Sequence, residues 1–294
     1  MAHYNIKDLE TLTGIKAHTI RIWEKRYGII NPERTDTNIR TYDDEDLRRI
    51  LNISILNNHG IKISKLASMS DAEIRDKVLF VSQNMSDFQT QIESLIFAVF
   101  SLDEAQFHHV FNKSVMTNGF ETTFEEIVLK ALDRVGVLWL TGTINPAQEH
   151  FLSNLVRQKI ISNIDSISVP SNPNKKRFTL FLPEGELHEI GLLYAYFLLK
   201  KRGHNVLYFG QQTPLESVIE SEKLQKSDFL LISMVAPLIE KNPEEYLMEV
   251  KSAFPDGKIL LFGKQSAIID QSNIAGFQHF PSIKGFVEYI ENLH

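Results

Sequence analysis

The hydrophobic period of this sequence changes along the chain, and three observations together predict a multidomain α and α/β protein. Short apolar-faced helical runs interrupted by one hairpin-like segment fill the first 75 residues. Four longer amphipathic runs follow, over residues 76–170. From residue 175 to 294, β-like and helical runs alternate regularly. The expected organisation is a small helical domain with a wing (1–75), a four-helix bundle (76–170) and a parallel-sheet domain (175–294). At 294 residues the chain can bury a core in each.

Composition narrows the class. The chain is 43% hydrophobic, has no cysteine, and has no apolar run near the length of a membrane span, about 18 residues. Disulfides, thiolate metal sites and cysteine nucleophiles are thereby excluded. Met1-Ala2-His3-Tyr4 lacks the basic-then-apolar pattern of a secretion signal, so the expected location is cytoplasmic. The net charge is −6, but the first 70 residues hold 11 Lys and Arg against 9 Asp and Glu, a net of +2, leaving −8 for the rest. A basic head on an acidic body fits DNA binding by one module only. No Ser/His/Asp arrangement, phosphate loop or metal-ligand cluster stands out, and the chain is not expected to be an enzyme.

Taken in order, Tyr4–Gly14 reads as a short helix with Ile6, Leu9 and Leu12 inward, Asn5 as cap and Gly14 as left-handed stop. A second helix runs from about Ala17 to Arg26 and buries Ile20 and Trp23. Two short helices joined through a glycine turn are a helix-turn-helix candidate. On the second, His18, Thr19, Arg21, Lys25 and Arg26 point away from Ile20 and Trp23, towards a groove. Ile29–Tyr42 reads as a hairpin turning near Asp36–Asn38, with Arg34 and Arg40 flanking the turn as phosphate contacts. Asp43 caps a third helix with Leu47, Ile50, Leu51, Ser54 and Ile55 at helical spacing, and two short capped helices follow, from Lys62 and from Ser70. No sustained heptad continues from them, so a dimer would need another interface.

The order helix, turn, helix, wing, helix, with the text Ile15-Lys16-Ala17-His18-Thr19-Ile20-Arg21-Ile22-Trp23-Glu24-Lys25-Arg26-Tyr27-Gly28 and then Arg34 and Arg40-Thr41-Tyr42, resembles the MerR family of transcription regulators. That resemblance covers about 70 residues. It implies a winged helix-turn-helix that binds double-stranded operator DNA as a dimer, with contacts from His18, Thr19, Arg21, Arg26, Tyr27, Arg34, Asn38 and Arg40.

In the middle segment, helices are expected from Ser86-Asp87-Phe88, from Leu102-Asp103, from Phe124 to Leu138 and from Pro146 to Ile164. Trp139 is followed after nine residues by Glu149-His150. By itself that is a core aromatic and a solvated acidic turn. The spacing is nevertheless similar to the helical cap of CarH-type and LitR-type regulators, where these residues lie over the upper face of adenosylcobalamin.

In the last segment, strands at Phe178–Leu182, Val206–Phe209, Phe229–Ser233, Ile259–Phe262 and His279–Phe280 alternate with helices at His188–Lys201, Leu215–Ser221, Pro243–Phe254 and Ile283–Leu293. Such alternation predicts a flavodoxin-like (Rossmann-like) parallel sheet, whose ligands bind beyond the strand C-termini. His188, Ser233 and Gly263 fall there. A lone histidine at such a turn is more often structural. Glu186-Leu187-His188-Glu189-Ile190-Gly191, Ser233 beyond it and Gly263 after that, however, resemble the three separated elements of cobalamin-binding domains.

The resemblance implies His188 as ligand of the cobalt in adenosylcobalamin, Glu186 fixing its tautomer, Gly191 and Gly263 admitting the nucleotide tail, and Ser233 bonding its base. Glu186 stands where the family has aspartate, so its carboxylate has one more methylene to fold back. Lys264 stands in place of a second glycine. Leu140 follows Trp139 where some light-sensing members carry a second histidine. Cobalamin-dependent mutases and methyltransferases add a large catalytic barrel for which this chain has no room. The expected function is therefore a repressor sensing adenosylcobalamin through its oligomeric state (dimer or tetramer), with light as a candidate input. The alternative is a regulator of the same architecture that has lost cobalamin and answers to another ligand or a protein partner.

Overall fold

A computed structural model describes residues 4–35, 38–58, 60–83, 88–140, 144–168, 175–235, 242–255, 257–263, 276–280 and 282–293. The centre of the expected hairpin turn (Asp36, Thr37), the cap Ser86-Asp87, most of the polar linker (171–174), Lys264 and the side chains of Leu12 and Leu140 lie outside the described residues. The chain divides into two compact units, Met1–Asn154 and Leu155–His294.

In the first unit, α1 (Ile6–Thr13) starts at Asn5, whose side chain accepts from Lys7 and Asp8 N–H while Asp8 returns the bond to Asn5 N–H. It stops at Gly14, φ 71°. The next helix, α2 (Ala17–Tyr27), has no cap of its own on Lys16. Glu10 supplies one from α1: Oε2 accepts from Ala17 N–H at 3.1 Å and Oε1 pairs with Lys16 Nζ at 3.1 Å. Those bonds hold the Glu10 carboxyl below its ordinary range. The turn between the helices is thus fixed by a residue outside it.

The wing is β1 (Glu33–Arg34) antiparallel to β2 (Arg40–Thr41). Its base is tied to the N-terminus, where Tyr4 and Tyr42 exchange both backbone bonds, at 2.8 and 2.9 Å. Behind it, Asp43 caps α3 (Asp44–Asn58) through Glu45 and Asp46 N–H. Leu47, Ile50, Leu51, Ser54 and Ile55 are all buried. Arg49 on α3 gathers the module: it donates to Ile29 O and Met69 O and pairs with Asp71. Of the two helices expected after it, α4 (Ile63–Leu66) is short, but α5 (Asp71–Gln83) runs 13 residues from a Ser70–Glu73 capping box.

The middle helices are α6 (Phe88–Ser101), α7 (Glu104–Asn118, capped by Asp103), α8 (Phe120–Thr123), α9 (Leu129–Leu140) and α10 (Pro146–Asp165). The helix expected from Phe124 begins four residues earlier. It passes through a π-helical turn at Phe124–Val128 before α9. Phe124, Ile127 and Val128 are buried at i, i+3 and i+4, the spacing an ordinary α-helix also buries on one face, so the periodicity did not announce the π-turn. Among these helices, the buried Thr123 hydroxyl bonds Ser114 Oγ at 2.9 Å.

The second unit holds β3 (Arg177–Phe181), α11 (Ile190–Lys201), β4 (Asn205–Gly210), α12 (Leu215–Leu224), β5 (Phe229–Ser233), α13 (Pro243–Ala253), β6 (Lys258–Phe262), β7 (Phe277–Phe280) and α14 (Ile283–Glu291). All strand pairs are parallel, in the order β4-β3-β5-β6-β7. In sequence rank this is 2-1-3-4-5, so the order reverses between β3 and β5. Strand residues alternate between two covered faces. Phe181, Ile232, Met234 and Leu261 share a core with Val218, Tyr246 and Leu247 of α12 and α13. Ser233 and Phe262, one residue out of phase with them, face the other way. The helical run expected from His188 starts at Ile190 instead, and His188 stays in the loop after β3.

Candidate functional site: a histidine loop and a basic cleft

The loop after β3 opens at the reversal of strand order, the usual ligand position in such a sheet. Pro183–Glu186 makes a turn with Gly185 at φ 83°, and Glu186 N–H donates to Pro183 O at 3.1 Å. This folds the Glu186 side chain inward, where it is 0% exposed. Its Oε1 accepts from His188 N–H at 2.9 Å and lies 2.6 Å from His188 Nδ1. Oε2 accepts from Val235 N–H at 2.7 Å, reaching across to the end of β5. The extra methylene of glutamate is therefore accommodated. Glu186 thus holds the imidazole by its Nδ1 edge, the place of an orienting partner. The His188 side chain is 59% exposed.

Glu189, the next residue, is also buried. It accepts from Tyr208 OH at 3.1 Å and pairs with Arg157 of α10. Burial and this carboxylate push the Tyr208 phenol well above its ordinary range. Two buried carboxylates thus fix the backbone on either side of an exposed imidazole. The Glu186 contact was legible in the sequence as a two-residue spacing. The Glu189–Arg157–Tyr208 group was not, because its members lie 32 and 19 residues from Glu189 in the chain, at no recognisable interval.

The remaining α/β residues converge on one sheet face. Ser233 is 0% exposed, and its Oγ finds no partner among the described residues. At Gly191, an added Cβ would lie 2.7 Å from Phe262 Cε1. At Gly263, with φ 108°, it would lie 2.4 Å from Met234 O. Close approach requires glycine at 263, where backbone stands in the way, and favours it at 191, where the edge of an aromatic ring does.

In the first unit, Trp139 at the end of α9 is 49% exposed, an indole face open to solvent instead of a core residue. Ten residues on, Glu149 Oε2 lies 2.6 Å from His150 Nδ1, and Ser153 Oγ bonds the Glu149 carboxylate and its backbone oxygen. The pair is pre-oriented on the first turns of α10.

On the helix-turn-helix, Ile20 and Trp23 are buried and His18, Arg21 and Arg26 are exposed; Arg26 stacks over the Tyr27 ring, 5.3 Å from its centroid. Thr19 is half-buried. In the wing, Asn38 takes φ 63° and accepts from Arg34 Nη1 at 2.6 Å. Arg40 Nε donates to both oxygens of Glu24 at 3.0 Å, and Tyr42 OH donates to the same carboxylate at 3.4 Å. Glu24, unremarked in the sequence, thereby locks the wing onto α2 and occupies one edge of the Arg40 guanidinium. An open cleft between helix and wing is lined by Arg21, Lys25, Arg34 and Arg40 among others.

A winged helix-turn-helix with a cationic cleft, followed by helices and a parallel sheet with a carboxylate-held histidine at its switch point, defines a class. Residues 4–73 match the family described as MerR HTH family regulatory protein, and residues 91–161 match the B12 binding domain. The chain is a DNA-binding regulator whose N-terminal residues are similar to MerR helix-turn-helix proteins and whose middle segment is similar to a B12-binding domain.

Its particular relatives are transcription repressors. It is 29% identical over 272 residues to the HTH-type transcriptional repressor CarH of Myxococcus xanthus, covering 90% of this chain and 89% of that one. To the repressor CarA of the same organism it is 25% identical over 251 residues, covering 84% and 81%. The monomethylamine corrinoid protein of Methanosarcina barkeri shares its fold, with a TM-score of 0.56 at 13% identity over 71% of this chain and all of that one. Among the described residues no helix is long and apolar enough to cross a membrane.

Proposed function

We propose that this protein is a cytoplasmic, DNA-binding transcription repressor that senses adenosylcobalamin and changes its oligomeric state in response. Its three working segments are 1–75, 76–170 and 175–294. The observation that carries the cofactor reading is His188, its side chain 59% exposed and its Nδ1 engaged by buried Glu186. That is the state of an imidazole poised to ligate a metal, with its orienting partner in place. Ser233 provides a separate test of fit. A buried hydroxyl without a partner costs about 1–3 kcal/mol, and a ring nitrogen of a cofactor base would satisfy it.

In this reading His188 ligates cobalt, Glu186 holds the ring, and Ser233, Gly191 and Gly263 receive the nucleotide tail. Trp139 contributes an aromatic face, and Glu149 and His150 contribute groups for ribosyl hydroxyls. The cofactor supplies a cobalt–carbon bond that light can break. The B12-binding match over 91–161 supports cobalamin; the adenosyl form rests on the likeness to CarH-type regulators. Repression is supported by two relatives aligned over most of the chain. DNA contacts are assigned to His18, Thr19, Arg21, Arg26, Tyr27, Arg34, Asn38 and Arg40, the last two wing residues set by Arg34 and Glu24 respectively.

The test is the visible spectrum of protein incubated with adenosylcobalamin and passed through gel filtration, in dark and after illumination. Co-elution of the cofactor with a larger species is expected, and His188→Ala should shift the spectrum of any bound cobalamin. Elution without colour would leave the alternative, a regulator answering to another ligand or a protein partner.

A further inference from the structure

The recognition face of α2 contains one residue that charge does not explain. With Ile20 and Trp23 marking the buried direction, successive residues turn about 100°. His18 and Lys25 then lie nearly at the centre of the opposite face, with Arg21 and Ile22 about 50° to either side. Ile22 is 53% exposed. It lines the cleft together with Arg21 and Lys25, facing a wall that includes Arg34 and Arg40 of the wing. The Glu24 carboxylate there is taken up by Arg40 and Tyr42. An isoleucine at that place contributes to no core, and its neighbours call for a polyanion.

The occupant must therefore present phosphates at the rim and an apolar atom within reach of the helix. The major groove of B-form DNA does so at one base only, through the C5 methyl of thymine. We propose that Ile22 is a specificity-determining residue that reads a thymine methyl in the major groove, at one flank of the face whose base or phosphate contacts are made by Arg21 and Lys25. This rests on the DNA-binding reading of the module and adds to it the identity of a base.

The test uses the full chain. Duplexes selected from a random library give its site, and each thymine in that site is replaced in turn by deoxyuridine, which removes the methyl and nothing else. One thymine per half-site should lose about fourfold in affinity, the equivalent of one buried methyl or methylene at about 0.8 kcal/mol. Ile22→Ala, at an exposed helical position, keeps the fold. It should bind the thymine and deoxyuridine sites equally, at the affinity of the unaltered protein for deoxyuridine. Absence of any uracil-sensitive thymine, or an unchanged uracil penalty in Ile22→Ala, overturns the assignment. Failure of the library to enrich any sequence would instead overturn DNA reading by the module, and this inference with it.

Discussion

Replacing Glu186 by glutamine perturbs the proposed cofactor site at its most determinate contact. The carboxylate accepts three bonds: two on Oε1, from His188 N–H at 2.9 Å and Nδ1 at 2.6 Å, and one on Oε2, from Val235 N–H at 2.7 Å. An amide of the same shape keeps one acceptor oxygen. If that oxygen faces His188, the NH2 group is set against Val235 N–H; if it faces Val235, the clash moves to His188. Either way a buried donor loses its partner, at about 1–3 kcal/mol, and the surviving bonds lose their charge assistance.

We expect the second unit to lose about 2–3 kcal/mol in urea unfolding followed by circular dichroism. Cobalamin affinity, titrated by visible absorbance, should fall about 10–100-fold, because the imidazole is no longer held in one tautomer and orientation. Glu186→Asp keeps both oxygens and the charge, and should lose less affinity than glutamine. A glutamine variant as stable as the parent and binding cobalamin equally well would refute the role assigned to Glu186.

Other positions carry further expectations. His204 is buried beside Phe178, and burial, with Lys175 and Arg202 nearby, pushes its pKa down to about 4. Between pH 6.5 and 4 the unfolded chain therefore binds a proton that the folded one does not, so stability falls as pH is lowered through that window, by at most about 3 kcal/mol. His204→Leu should flatten the slope, and equal slopes in chemical denaturation across that range would count against it.

Gly263→Ala places a Cβ against backbone at φ 108° and should cost more than about 2 kcal/mol, whereas Gly191→Ala meets only the edge of a ring and should cost less. Reversal of that order in melting experiments would contradict the packing described. Arg21→Ala should weaken operator binding by about 1–3 kcal/mol and relax one base position if it reads a base, with an unchanged salt slope. A uniform loss with a shallower salt slope would make it a phosphate contact.

The sequence by itself determined the local features of this protein. Asn5 and Gly14 bound the first helix because a cap needs a side-chain acceptor and a stop needs a left-handed residue, and both are local demands. The strands of the α/β unit were legible because each is a short, nearly continuous apolar run between turn residues. His188 stood out differently: alone it read as structural, and it was the matching distances to Ser233 and Gly263, with Trp139 and Glu149-His150, that singled it out.

Tertiary structure alone decided what depends on distant partners. Strand order 2-1-3-4-5 follows from how helices cover the sheet, and it is this order that places the Glu186–His188 loop beside Val235. The pairing of Glu24 with Arg40, across 16 residues, sets the wing on the recognition helix, and no periodicity marks it. The π-turn at Phe124–Val128 was not legible, because its buried residues recur at i, i+3 and i+4 as they would in an ordinary α-helix. The same limit applies to Gly191, whose spacing from His188 was plain in the text but whose packing is set by Phe262, 71 residues away, with its ring edge where a Cβ would stand.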